Sequence, residues 1–342
     1  MKIFNSRYFN LNFSDLSTYR TQLMGVAALL IIVCHMNIYR VLMPQILAHI
    51  CCYGMWGVDM FLFLSGLGLY YSLSKKNLNN KNDYLSFYKK RFYRIFVPYF
   101  MIYIPYCLIF TLLEQYSIKE SILCLTTLEF WLFHRGAWFI SLIIILYLIS
   151  PFLYKLLSKQ HKWIFTIGII AVIAVLRSIT LENTAPTSVL YNIQLALGRV
   201  PSFILGLTIG SYCKEGKQIS TPYTLLILCI SISASKIFNV WDYPWLITPT
   251  ILYISLFIIT LLKGSWIDKC LTFVGKMSLE SYLIHITLID ILKVLIPAYI
   301  YSPIFYGKYL EYAIIIVVGL LLAYYVHNAA KKILSKILGS TL

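Results

Sequence analysis

The chain has 342 residues, 60% of them hydrophobic and 12% charged, with a formal net charge of +16. A soluble domain averages about 25% charged residues, so an ordinary soluble protein is excluded. A mean hydropathy of +0.77 points to a multi-span membrane protein. The surplus of Lys and Arg then reads as cytoplasmic-loop charge, not as a nucleic-acid surface, and no nucleic-acid partner is expected. The eight cysteines lie mostly in or beside apolar stretches without zinc-ligand spacing. They read as small apolar fillers, and no metal site is expected.

An apolar helix of about 20 residues crosses a bilayer. Such stretches fall at 21–39, 52–73, 95–113, 137–157, 163–179, 197–213, 221–239, 245–262, 277–297 and 310–328. The reading is an all-α integral membrane protein, a bundle of about ten transmembrane helices forming one polytopic domain over 1–342. The first stretch lacks a small-residue cleavage site after it and reads as a retained span. With the N-terminus inside, most Lys and Arg fall at cytoplasmic ends, including Arg20, the Lys89–Arg94 run and Lys331. Counting 115–134 as a span would put Lys155, Lys159 and Lys162 outside. That segment is therefore read as a short re-entrant or interfacial piece, with both termini cytoplasmic. The expected location is the cell (inner or plasma) membrane.

Polar groups at membrane depth are costly and mark function by default. The first span runs from Met24 through an apolar stretch to His35. At 1.5 Å per residue, His35 lies about 22 Å beyond Arg20, in the outer half. A neutral imidazole there suits a general base. Asp59, two turns into the second span, has two readings. It orients His35 in the manner of a His–Asp pair, or it forms a structural ion pair with Arg199 or Arg177. Ser65, Gly66 and Gly68 read as helix packing.

Before the third span stand Arg91 and Arg94, three apart and so on one helical face. Two guanidinium groups on one face suit phosphates. Trp131 and Trp138, near His134 and Arg135, read as interfacial aromatics or as a sugar-stacking surface. Arg199 joins this outer cluster. In the ninth span Ser278, Tyr282 and His285 form one polar stripe. Counted from Lys276, the stripe falls in the inner half. Glu280 points elsewhere, toward a basic partner.

Five stretches in this order carry a resemblance: Gly25–His35, Gly57–Gly66, Arg91-x-x-Arg94 before Pro98-Tyr99, Trp138-Phe139 with Tyr147 and Pro151, and Gly275-x-x-Ser278 with Tyr282-Leu283-Ile284-His285. Together they resemble the membrane acyltransferase-3 family, integral-membrane O-acyltransferases of cell-envelope glycans, over about residues 16–332. The resemblance implies acyl-CoA, such as acetyl-CoA, as a cytoplasmic co-substrate, with no permanently bound cofactor. It implies a carbohydrate hydroxyl as acceptor at the outer face, with the lipid bilayer as the remaining partner. The family's first-helix motif is an Arg, ten residues and a His. His35 matches the His, while Met24 stands at the Arg position and Arg20 lies one turn below. The resemblance implies His35 in catalysis and Arg91 and Arg94 at the donor phosphates; the placement of the residues adds Asp59 beside His35 and Arg20 and Lys90 beside the two arginines. Trp138, Arg199, Ser278, Tyr282 and His285 would line the cavity. Two other readings remain at this point: a transporter or exporter of a glycan or anionic solute, and a relative that has lost activity.

Overall fold

The computed structural model describes residues 10–38, 43–76, 80–181, 188–295 and 305–339. The architecture is helical. In hydrocarbon every backbone N–H and C=O must be satisfied within the chain, and a helix does this within one segment. In chain order the helices are α1 (Phe13–Thr18), α2 (Arg20–Ile38), α3 (Gln45–Cys52), α4 (Trp56–Leu73), α5 (Lys81–Leu112), α6 (Ile118–Leu125), α7 (Leu128–Phe133) and α8 (Trp138–Leu157). They continue with α9 (Lys162–Leu181), α10 (Val189–Leu197), α11 (Val200–Lys214), α12 (Thr221–Ile237), α13 (Thr248–Leu261), α14 (Trp266–Lys276), α15 (Ser278–Leu295) and α16 (Phe305–Leu338). Two-residue strands, β1 (Leu11–Asn12) and β2 (Gln218–Ile219), pair antiparallel with Leu11 opposite Ile219.

Among the described residues, each apolar stretch read as a span is mostly helical. Among the described residues, six helical segments are long and apolar enough to cross a membrane: Gln45–Leu73, Lys81–Leu112, Trp138–Leu157, Val189–Lys214, Pro244–Leu261 and Tyr312–Leu338. Arg20–Met36 and Thr221–Ile237 are apolar but shorter. The 115–134 segment forms only α6 and α7, of 8 and 6 residues, too short to cross. Ser117 caps α6 through a reciprocal pairing with Glu120. The Ser117 backbone N–H holds the Glu120 carboxyl below the usual carboxylate range.

Two helices overrun their apolar spans. α5 begins at Lys81 rather than 95, and α16 runs to Leu338 rather than 328. The local sequence explains both. Asn80 caps the start of α5 by accepting from the Asn82 N–H at 2.9 Å, and no Gly or Pro interrupts the chain before Pro98. Past residue 328, α16 meets no Gly or Pro until Gly339, whose φ of +73 is that of a left-handed helix terminator. These overruns carry basic residues beyond the apolar belt, at the end of the bundle where α2 begins.

The centre is α4, buried along almost its whole length and packed between α2 and α11. The α4–α11 approach depends on two glycines. A Cβ on Gly66 would collide with the Phe203 carbonyl, and one on Gly206 with the Phe63 carbonyl. Such small residues let helix backbones meet where water supplies no driving force. On the periphery, apolar side chains such as Leu108 and Leu112 on α5 and Phe152 on α8 are exposed, the surface that lipid covers.

Candidate functional site

A cavity of about 580 Å³ opens at the Arg20 end of the bundle. Its wall comes from α2, α4, α5, α8, the α14–α15 junction and α16. Five cations line it: Arg20, Arg91, Arg94, Lys276 and Lys331. They arrive from four separate stretches of chain. Arg91, Arg94, Ile95 and Pro98 follow the i, i+3, i+4, i+7 rhythm of one α5 face, and all four line the cavity. On α16 the same rhythm puts His327, Ala330, Lys331 and Leu334 on the wall.

Arg20 is seated deliberately. Its Nε donates to the Leu64 carbonyl of α4 at 2.9 Å. Its guanidinium lies over Gly68, where a Cβ would come within 2.8 Å of Nη2. Gly68 thus serves as the floor for Arg20 and not only as a packing contact. Met24, at the family's Arg position, also lines the cavity one turn further in.

The carboxylate on this wall is Glu280. It is buried, and its Oε1 is 3.0 Å from His327 Nδ1. The expectation that Glu280 points elsewhere, toward Lys or Arg, is corrected: it faces the cavity and pairs with a histidine. Among the described residues, none of the five cations makes a salt bridge.

Ser278 and Tyr282 line the cavity as the stripe implied. His285 lies one turn past Tyr282 and does not face it. Its ring stacks on His35, with centroids 5.4 Å apart and planes within 10°. The two histidines therefore share one level, and the expectation that they lie in different halves of the bundle is corrected. The reason lies where α14 gives way to α15. A Cβ on Gly275, at the end of α14, would collide with the Thr21 carbonyl and meet the Gly25 backbone, which sets this junction against α2. α15 starts at Ser278, and His285 lies about 10 Å along it. His285 Nε2 is 2.8 Å from the Tyr312 hydroxyl, which donates to the Ile32 carbonyl at 2.7 Å. Ile31, one turn before His35, reaches the cavity wall, so the histidine pair sits just past its inner end.

Asp59 is fully buried and is held by Arg199 and by Ser202, whose hydroxyl donates at 2.9 Å. Of the two readings for Asp59, the structure makes the ion pair with Arg199, not a His–Asp pair with His35. Arg199 is accordingly a partner of Asp59 and does not line the cavity. Arg177 pairs instead with Asp242 at 3.6 Å and lies over the Tyr243 ring. Trp138 packs on Phe130 and Phe139, and it is Phe139 that reaches the cavity. His134 is engaged by Asn192, and Arg135 lies 3.7 Å from Glu120. Lys90 lies outside the lining, and Lys276 and Lys331 supply the additional positive charge.

Sequence reasoning missed Lys276, Lys331, Glu280, His327, Tyr147 and Ser65 as cavity residues. The α16 rhythm from His327 to Leu334 was the available signal. No match appears among curated proteins or among solved structures. Residues 21–328 match a family model described as an acyltransferase domain. The cation-lined cavity ending beside a stacked histidine pair is thus set in a chain that belongs to the acyltransferase-3 family, a membrane acyltransferase.

Proposed function

We propose that the protein transfers an acetyl group from cytoplasmic acetyl-CoA to a sugar hydroxyl of a cell-envelope or exported polysaccharide. The observation that carries this reading is the set of five cations around one cavity, against a single carboxylate already bonded to His327. Coenzyme A presents a pyrophosphate and a third phosphate. Paired guanidinium forks such as Arg91 and Arg94 suit those groups, and the lysines add point charges.

In this reading the Arg20 end faces the cytoplasm and both termini lie there. About ten helices then cross the cell membrane, which agrees with the bias of Lys and Arg toward that end. The phosphates rest at the cationic mouth. The pantetheine arm runs past Ser278 and Tyr282 toward His35, about 22 Å from Arg20 along α2. The acceptor hydroxyl approaches from the opposite face. His35 takes its proton as the oxygen attacks the thioester carbonyl. The carbon–sulfur bond then breaks, and the departing thiolate receives the proton back from the imidazolium. General-base assistance of this kind contributes about 10²–10⁴-fold.

The test is release of free CoA from acetyl-CoA by purified protein in lipid vesicles supplied with envelope polysaccharide. Wild type is expected to release CoA, and His35→Ala to lose at least about 100-fold. Full activity in His35→Ala would overturn the mechanism. Glycan movement without CoA release from wild type would instead establish an exporter.

A further inference from the structure

We infer that His285 is a positioning residue that fixes the ring of His35 through a closed three-helix bridge. The inference rests on the reading of His35 as the base. Four observations build it. The His285 ring lies parallel to His35, with centroids 5.4 Å apart, an offset stack. His285 is 2% exposed, so its ring has little room to turn. Its Nε2 meets the Tyr312 hydroxyl, and that hydroxyl meets the Ile32 carbonyl. Ile32 precedes His35 by three residues on α2, so the bridge returns to the turn from which His35 projects.

Proton bookkeeping fixes the tautomer. A carbonyl only accepts, so the single Tyr312 hydroxyl proton goes to Ile32. The same hydroxyl must then accept from His285, whose Nε2 therefore carries a hydrogen. The Nε2–H edge of His285 is committed to α16 and its ring face is presented to α2. α16 holds α15 by one hydrogen bond and α2 by the next. The stack then leaves His35 one ring plane. A base must be held in its productive orientation, and a misplacement of about 1 Å can cost 10²-fold in rate. The free energy of the bridge is thus directed to orientation and not to donor binding, because the cationic mouth lies several turns away.

The experiment uses the full-length protein in vesicles and reads two quantities for each variant. One is the kcat and KM for acetyl-CoA, from CoA release. The other is the rate at which diethyl pyrocarbonate modifies His35, followed by mass spectrometry. The second needs no turnover, so it separates a failure of this inference from a failure of the acetyltransferase reading. His285→Ala is expected to lower kcat by about 100-fold with KM unchanged, and to speed modification of His35. His285→Gln keeps a planar donor toward Tyr312 and is expected to recover most of kcat and the slow modification. Tyr312→Phe, which loses the hydrogen bonds but keeps the ring, is expected to lower kcat by roughly tenfold. Wild-type kcat and wild-type modification rate in His285→Ala would overturn the inference. So would a His285→Gln variant as slow as His285→Ala, which would give the imidazole a part in proton transfer. If wild type released no CoA, an unaltered His35 modification rate in His285→Ala would still overturn the stack.

Discussion

Arginines occur at two levels of this bundle and are treated in opposite ways. Near Asp59, each is matched within the chain: Arg199 by Asp59, which also accepts from Ser202, and Arg177 by Asp242 and the Tyr243 ring. At the other end, Arg20, Arg91 and Arg94 converge with Lys276 and Lys331 on one cavity, and among the described residues none has a carboxylate partner. Collecting like charges costs free energy unless something compensates them. The paired arginines hold helices together. The unpaired ones leave their field for an anion, which makes the cavity and not the Asp59–Arg199 cluster the place to look for the donor.

The largest effect is expected where the paired level is broken. Asp59→Ala leaves Arg199 in a largely buried site without its counter-charge, a change that costs about 3–5 kcal/mol. Its helical circular dichroism in detergent should be lost at a clearly lower temperature than in wild type. The double replacement Asp59→Leu with Arg199→Met removes both charges and should recover most of the loss, because a buried ion pair is often replaceable by well-packed apolar groups. A stable double variant that releases CoA would confirm the pair as a clamp. A stable but inactive one would give Asp59 a role in the chemistry after all.

At the unpaired level the same kind of change should leave folding intact and weaken the donor. Arg91→Gln or Arg94→Gln each removes a charged hydrogen-bonding group worth about 1.5–3 kcal/mol, so KM for acetyl-CoA should rise roughly 10- to 100-fold with little change in kcat. Added salt should weaken donor binding by wild type more than by either variant. A drop in thermal stability like that of Asp59→Ala, with KM unchanged, would erase the distinction between the two ends.

A smaller change tests how Arg20 is held. Gly68→Ala would put a methyl group against its guanidinium. The side chain is flexible, so it should shift and not be expelled. KM for acetyl-CoA should rise by only a few fold, on the order of 1 kcal/mol of lost hydrogen bonding to Leu64. An unchanged KM would mean that Arg20 contributes charge alone and not a fixed fork.

The helices were legible in the sequence because hydrophobicity within one segment sets them, and among the described residues each apolar stretch read as a span is mostly helical. Arg91 and Arg94 were legible too, since a spacing of three puts them on one face whatever packs there. What resisted reading depended on how separate helices meet. Lys331 and His327 lie far along the chain from Arg20 and join it only because α16 overruns its apolar span and packs beside α15. The shared level of His35 and His285 depends on Gly25 meeting Gly275, a contact that hydropathy does not encode. Asp59 had two basic candidates, Arg199 and Arg177, besides His35, and only the approach of α4 to α11 selects Arg199.

The departure at Met24 gives the finest test. Met24 and Arg20 both line the cavity and lie one turn apart on α2, with Arg20 anchored to Leu64 over Gly68. If Arg20 already supplies the guanidinium that the family carries one turn higher, Met24→Arg adds a sixth cation to a site that has enough. It should change KM by no more than about threefold, the scale of a partly exposed charge interaction. The informative variant is the double one. Arg20→Ala alone should raise KM as Arg91→Gln does, and adding Met24→Arg should bring it back toward wild type. Failure of that rescue would mean that the seat formed by Leu64 and Gly68 matters as much as the charge it holds. The unpaired level would then be a shaped site and not only a positive one.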